Sequence, residues 1–199
     1  MSANVTTTDT LVDFADNSLK IDDKKDAEKI VEALKKSLKM TALRLSGNTL
    51  GVAGAEAIGL QLSNHPNLRQ CLFSDLFTGR MVDEIAPALR HLSAGIISAG
   101  AQLTELDLSD NAFGPRGVVG VTELLSSPVC YTLQLHLYQN GIGIHGLDGI
   151  KCLVNAIASN PNLRVLNLSD NSLTADGGTE LARSLSHLPY LEHTFKRHT

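Results

Sequence analysis

The sequence predicts an α/β solenoid: a horseshoe with short parallel strands on its concave face and helices on its convex one. Three observations carry that expectation. A frame of core residues spaced three, two, three and two apart recurs five times along the 199 residues. The fourth positions of those frames, 48, 76, 111, 140 and 171, stand 28, 35, 29 and 31 residues apart and are Asn in every frame except at Leu76. Between the frames lie segments with helical apolar spacing, and repeats of that length have room for a full helix.

The frame is clearest at Leu103–Pro115, LTELDLSDNAFGP, where Leu103, Leu106, Leu108, Asn111 and Phe113 follow the L-x-x-L-x-L-x-x-N-x-L register of a leucine-rich repeat. Leu106 and Leu108 alternate as on a strand and point into one core, while Glu105, Asp107 and Ser109 point out. The chain then turns inside the stack, where buried backbone groups need partners. An Asn amide has two donors and an acceptor to offer them. Asn48, Asn111, Asn140 and Asn171 are therefore expected to form a buried structural ladder. The other frames are Met40–Leu50, Leu68–Thr78 with Cys71 and Phe73 in core positions, Thr132–Ile142 with a polar first residue, and Leu163–Leu173.

Taken in order, residues 1–10 are polar and expected to be disordered, and residues 11–39 to form an N-terminal cap. In the cap, Leu11–Ile21 holds a weak strand, and Asp22 or Asp23 caps a helix with Ile30, Val31, Leu34 and Leu38 as its apolar stripe. Residues 40–187 carry the repeats, with helices expected near 53–63, 82–99, 116–126, 146–159 and 175–186. Ile58, Leu60 and Leu62 should face the core from the first of these, and Ile85, Leu89, Leu92 and Ile96 from the second. The whole is expected to be a horseshoe of the ribonuclease-inhibitor kind. In residues 188–199, Leu188-Pro-Tyr-Leu191 opens a repeat that the tail does not complete, with His193 where a core Leu belongs. The array is therefore expected to be truncated there, without a capping helix.

Composition narrows the function. A net charge of -4 argues against nucleic acid as the main partner. Cys71, Cys130 and Cys152 lack zinc or disulfide spacing, and there is no apolar signal segment or membrane-spanning run, so an intracellular, reducing compartment is expected without membrane insertion. No P-loop motif is present, the seven His are scattered, and no cofactor or metal is called for. The outward strand positions are polar and mixed in sign, which suits a protein partner better than a small substrate. Glu105 and Asp107 share a strand face, where solvation is a better reading than a catalytic pair.

The frame at Leu76 departs from the rest. There Phe73-Ser-Asp-Leu-Phe-Thr-Gly-Arg80 replaces the Asn turn. Gly79 can adopt backbone angles closed to other residues, leaving Arg80 at the strand end, expected exposed on the rim. Taken alone, Arg80 reads as a solvated helix-start residue or an ion-pair partner of Asp83 or Glu84.

FSDLFTGRMVDEIAPAL, with LRLSGNTLG before it and LTELDLSDNAFGP after it, closely resembles the Ran GTPase-activating protein family, from about Leu19 to Gln134. The resemblance implies a leucine-rich-repeat crescent that stimulates GTP hydrolysis by the small GTPase Ran in its GTP form, in some settings together with a Ran-binding protein. It implies support of nucleocytoplasmic transport from the cytoplasm, nuclear envelope or nucleus. The protein itself would not be the enzyme, since the GTPase does the chemistry. By resemblance Arg80 is the family's essential arginine, and Arg44, Ser74, Asp75, Thr78, Arg80, Asp107 and Asp110 lie toward Ran. The family route positions Ran's Gln with a repeat-turn Asn rather than inserting an arginine finger, and Asn140 stands as the candidate for that place. After SPVCYTLQ the family's N-N-G-L-G and G-R-N-R-L-E-N stretches do not appear. An internal deletion of about two repeats is therefore expected, with weaker activity. A catalytically silent Ran-binding or scaffold protein is the alternative.

Overall fold

The structure, a computed structural model, describes residues 6–130, 133–143 and 147–192. Its elements in chain order are β1 (Thr6–Thr7), β2 (Leu11–Asp13), β3 (Lys20–Ile21), α1 (Glu28–Lys36), β4 (Ala42–Arg44), β5 (Thr49–Leu50), α2 (Val52–Leu62) and β6 (Gln70–Leu72). There follow α3 (Val82–Ser98), β7 (Glu105–Asp107), α4 (Gly114–Gly117), α5 (Thr122–Ser126), β8 (Gln134–His136), α6 (Asp148–Ala158), β9 (Val165–Asn167) and α7 (Ala175–Leu185). Strands β2, β4, β6, β7, β8 and β9 form one parallel sheet in sequence order, extended by β1 antiparallel to β2, while β3 and β5 pair separately. This is the expected ribonuclease-inhibitor-like solenoid of leucine-rich repeats.

The strands stack without slipping. Val12, Leu43, Cys71, Leu106, Leu135 and Leu166 are register partners and all are buried. Two residues on, Phe14, Leu45, Phe73, Leu108, Leu137 and Leu168 form a second buried column. A one-residue shift would turn both columns to solvent, so the apolar pattern fixes the register. The neighbours of the first column alternate onto the concave face, with Arg44, Leu72, Asp107, His136 and Asn167 in one row.

The Asn ladder is as expected. Asn48, Asn111, Asn140 and Asn171 are all buried. Asn111 Nδ2 donates to Phe73 O at 2.8 Å and Leu108 O at 2.9 Å, while its Oδ1 accepts from Leu76 N at 2.6 Å and Phe77 N at 3.0 Å. Each of the four amides reaches back in this way to the turn of the preceding repeat.

Several expectations need correction. Thr6–Thr7, within the segment read as disordered, form an edge strand by pairing with Val12 and Asp13. Leu38 is exposed because α1 ends at Lys36, and Leu60 is exposed because it falls on the outer side of α2 between buried Ile58 and Leu62. Thr78 is exposed, and Phe77 takes the core place assigned to it, packing on Phe113 with ring centroids 6.3 Å apart. The helix expected over 116–126 is broken into α4, a 3-10 turn at Val118–Gly120 and α5, as Gly117, Gly120 and three valines give poor helix propensity. The polar first-position Thr132 and the tail residue His193 lie outside the described residues.

Helices α2 and α3 approach closely enough to touch through backbone. A Cβ on Gly95 would stand 2.0 Å from Gly59 O, so no side chain fits between them there. Among the described residues, no helix is long and apolar enough to cross a membrane, and no group of three or more His, Cys, Asp or Glu could hold a metal.

Candidate functional site

The site is built on the corners where strands turn towards helices. The residue before each of the five ladder positions has positive φ, Gly47, Asp75, Asp110, Gln139 and Asp170 at 71°, 48°, 60°, 53° and 58°, and so does Asp16 in the cap, at 55°. Short polar side chains and Gly tolerate this left-handed conformation, and five of the six are Asp or Gly. Asp75, Asp110 and Asp170 are exposed there and make one rim of the concave face acidic. Asp110 has its carboxyl pushed above the usual range by burial first, then by the charges of Asp107 and Asp75. Thr78 Oγ1 donates to Asp75 Oδ1, holding that carboxylate at its corner.

On the concave face Arg44 pairs with Asp13 at 3.5 Å. Ser74 Oγ donates to Ser46 Oγ at 3.0 Å, and Asp107 Oδ1 accepts from Ser109 N at 2.9 Å. Arg44, Ser74, Asp75, Asp107 and Asp110 thus lie on adjacent strands and their turns, with Thr78 at the same corner as Asp75.

Arg80 is placed differently from the expectation. Gly79 does adopt a left-handed angle, φ 82°, and Arg80 leaves the turn just before α3. Its side chain, however, is only 9% exposed. The guanidinium folds back over the preceding repeat: Nε donates to Thr49 Oγ1 at 3.0 Å, Nη2 to Thr49 O at 2.9 Å, and Nη1 pairs with the Asp22 carboxylate. Gly51 leaves room for this, since a Cβ there would lie 3.1 Å from Nη1. The local partners considered from sequence are engaged elsewhere, Asp83 with Arg116 at 3.0 Å and Glu84 with Met81 N at 3.0 Å. Lys20 first, then Arg80, holds the Asp22 carboxyl below the usual carboxylate range. Sequence reasoning missed Asp22 and Thr49 because they lie 58 and 31 residues upstream of Arg80. No spacing in the sequence links them to Arg80, because only the stacking of the turns brings them together.

Asn140 is a ladder residue with its amide fully engaged. It is 0% exposed, its Nδ2 donates to Leu108 O at 2.8 Å and Tyr138 O at 3.2 Å, and its Oδ1 accepts from Asn111 N at 3.1 Å. In this arrangement its side-chain amide is buried and serves the ladder. Two of the three thiols are equally withdrawn: burial raises the pKa of Cys71 and pushes Cys130 up to about 12, while Cys152 is half-buried.

A stacked parallel sheet, an Asn ladder and a polar concave face with an acidic rim define a leucine-rich-repeat protein. A family profile described as Leucine Rich repeat matches residues 36–59, 102–121 and 159–182. Within that class, the chain is similar in sequence to part of several Ran GTPase-activating proteins. It is 45% identical to the Ran GTPase-activating protein of Drosophila melanogaster over 175 residues, 84% of this chain and 29% of the relative. It is 43% identical to Ran GTPase-activating protein 1 of Xenopus laevis over 189 residues, 90% of this chain and 32% of the relative. With Ran GTPase-activating protein 2 of Caenorhabditis elegans, identity is 41% over 191 residues, 92% of this chain and 20% of the relative. The chain therefore spans a third or less of the length of these relatives.

Proposed function

We propose that this chain is an activator of the small GTPase Ran, docking on its GTP form and speeding GTP hydrolysis in support of nucleocytoplasmic transport. Its place of action is the cytoplasm or the nuclear envelope, and a Ran-binding protein can share the complex. A GTPase holds its own GTP and magnesium, so an activator needs only to stabilise charge or fix the residue that orients the attacking water. The single observation that carries the reading is Arg80, fixed at a strand-end corner within the FTGR stretch. The proposed docking residues are Arg44, Ser74, Asp75, Thr78, Asp107 and Asp110, on the neighbouring strands and their turns. The acidic corners favour a basic partner surface and speed encounter with it. The test is single-turnover hydrolysis of Ran-bound GTP with saturating chain, expected to exceed Ran's intrinsic rate and to fall with Arg80→Ala.

A second reading is a Ran-binding scaffold that does not stimulate hydrolysis. The buried, fully engaged amide of Asn140 favours it, because a turn Asn that cannot leave the ladder cannot position Ran's Gln. Under that reading Ran is bound but hydrolyses GTP at its intrinsic rate.

A further inference from the structure

We propose that Thr49 and Asp22 are positioning residues for Arg80, holding its guanidinium in one orientation before the partner arrives. The inference rests on the reading of Arg80 given above and adds the two residues that set its geometry.

A free arginine samples many rotamers, and ordering it on binding opposes association. Here the ordering accompanies folding. A guanidinium has five N–H donors in a planar fork. Three are engaged: Nε with Thr49 Oγ1, Nη2 with Thr49 O, and Nη1 with Asp22. Three contacts fix the orientation of the fork, and two N–H groups are not engaged by them. Thr49 is itself oriented, because its hydroxyl donates to Thr78 O at 3.0 Å and so turns a lone pair towards Arg80 Nε. Thr78 precedes Arg80 by two residues, so the contact closes a small ring between the two turns. Asp22 adds charge from the cap, and Lys20 holds that carboxylate at 2.8 Å. A Cβ at position 51 would stand 3.1 Å from Nη1 and 3.3 Å from Asp22 Cα, so the two turns pack tightly over Gly51.

Two measurements on the full chain test this. The first needs no Ran: hydrogen exchange of the Arg80 Nε–H by NMR is expected to be slow in wild type. It should be at least about tenfold faster in Thr49→Val, which keeps shape but removes the hydroxyl, with Thr49→Ser restoring protection. Unchanged exchange in Thr49→Val overturns the proposal outright. The second is a double-mutant cycle in single-turnover hydrolysis of Ran-bound GTP. Thr49→Val and Asp22→Asn should each lower the maximal stimulated rate by about tenfold or more, with the half-saturating chain concentration within about twofold. In an Arg80→Ala background both should have no further effect. Equal losses in both backgrounds mean that the residues act independently of Arg80 and overturn the positioning role. Slow exchange together with full stimulation by Arg80→Ala sinks the functional reading of Arg80, and the positioning role with it. Slow exchange with no stimulation by wild type overturns it too, leaving the clamp as a contact between repeats.

Discussion

Arg80 Nη2 donates to the carbonyl oxygen of Thr49 across 2.9 Å, from one repeat back to the turn before it. That is the direction in which every ladder amide reaches. At Leu76 the ladder has no amide, and Leu50 N donates instead to Leu76 O at 2.9 Å; Arg80 adds a separate tie four residues further on, to Thr49 rather than to a carbonyl of the ladder. Arg80 is thus part of the scaffold, not the free rim residue the sequence implied. Arg80→Ala is expected to lower stability by about 1–3 kcal/mol, since it strips a charged donor from a partly buried carbonyl. A shift in the urea midpoint checks this; an unmoved midpoint would remove the scaffold role.

Asn111→Ala should be mainly a stability variant. It leaves Leu76 N, Phe77 N and Phe73 O without their partner in a turn that water does not reach. Loss of such buried bonds costs roughly 1–3 kcal/mol. Wild-type melting of this variant would contradict the ladder.

Gly95→Ala should be among the most damaging small substitutions. Its Cβ would meet Gly59 O at 2.0 Å, so α2 and α3 would have to separate along their shared face. The expected loss is about 1–3 kcal/mol from overpacking, visible as a lower melting temperature, while Gly178→Ala, with open space around its Cβ, should not show it.

Asp110 gives a pH-dependent test. Its folded pKa is raised by burial first and then by Asp107 and Asp75. For a raised carboxyl, the contribution to stability is fully present below the unfolded value of about 3.9 and is lost as pH rises through the folded one. At neutral pH the charged Asp110 therefore opposes folding. Asn accepts its φ of 60° without that charge. Asp110→Asn should melt above wild type at neutral pH and level with it below about pH 3.9. A gap that stays constant with pH would discount the repulsion.

The repeat frame was legible because stacking demands identical inward residues at identical steps, and Leu43, Leu106 and Leu166 meet that demand openly. The ladder was legible for the same reason: only an amide serves the buried turn. Leu38 and Leu60 misled because apolar residues look alike in sequence whichever side of a helix they occupy, and the helix end at Lys36 left no cue. Phe77 and Thr78 exchanged places because loss of the Asn at Leu76 reshapes the turn, and the frame assumed an unaltered one. The Arg80 contacts were hidden since Asp22 and Thr49 belong to earlier turns, brought near only by stacking. The acidic corners could be read as residues but not as one rim, since their alignment arises from backbone angles repeated in each turn.

The central claim is that this chain, through Arg80, speeds GTP hydrolysis on Ran. The direct measurement is single-turnover hydrolysis of Ran-bound GTP at saturating chain, wild type against Arg80→Ala and against a full-length relative. Activators of small GTPases reach about 10⁵-fold, and lost transition-state contacts of roughly 3–4 kcal/mol would remove 10²–10³ of that. The account predicts stimulation by wild type on the order of 10²–10³-fold, below that of the full-length relative and reduced further by Arg80→Ala. Ran bound at saturation but hydrolysing GTP at its intrinsic rate would contradict it.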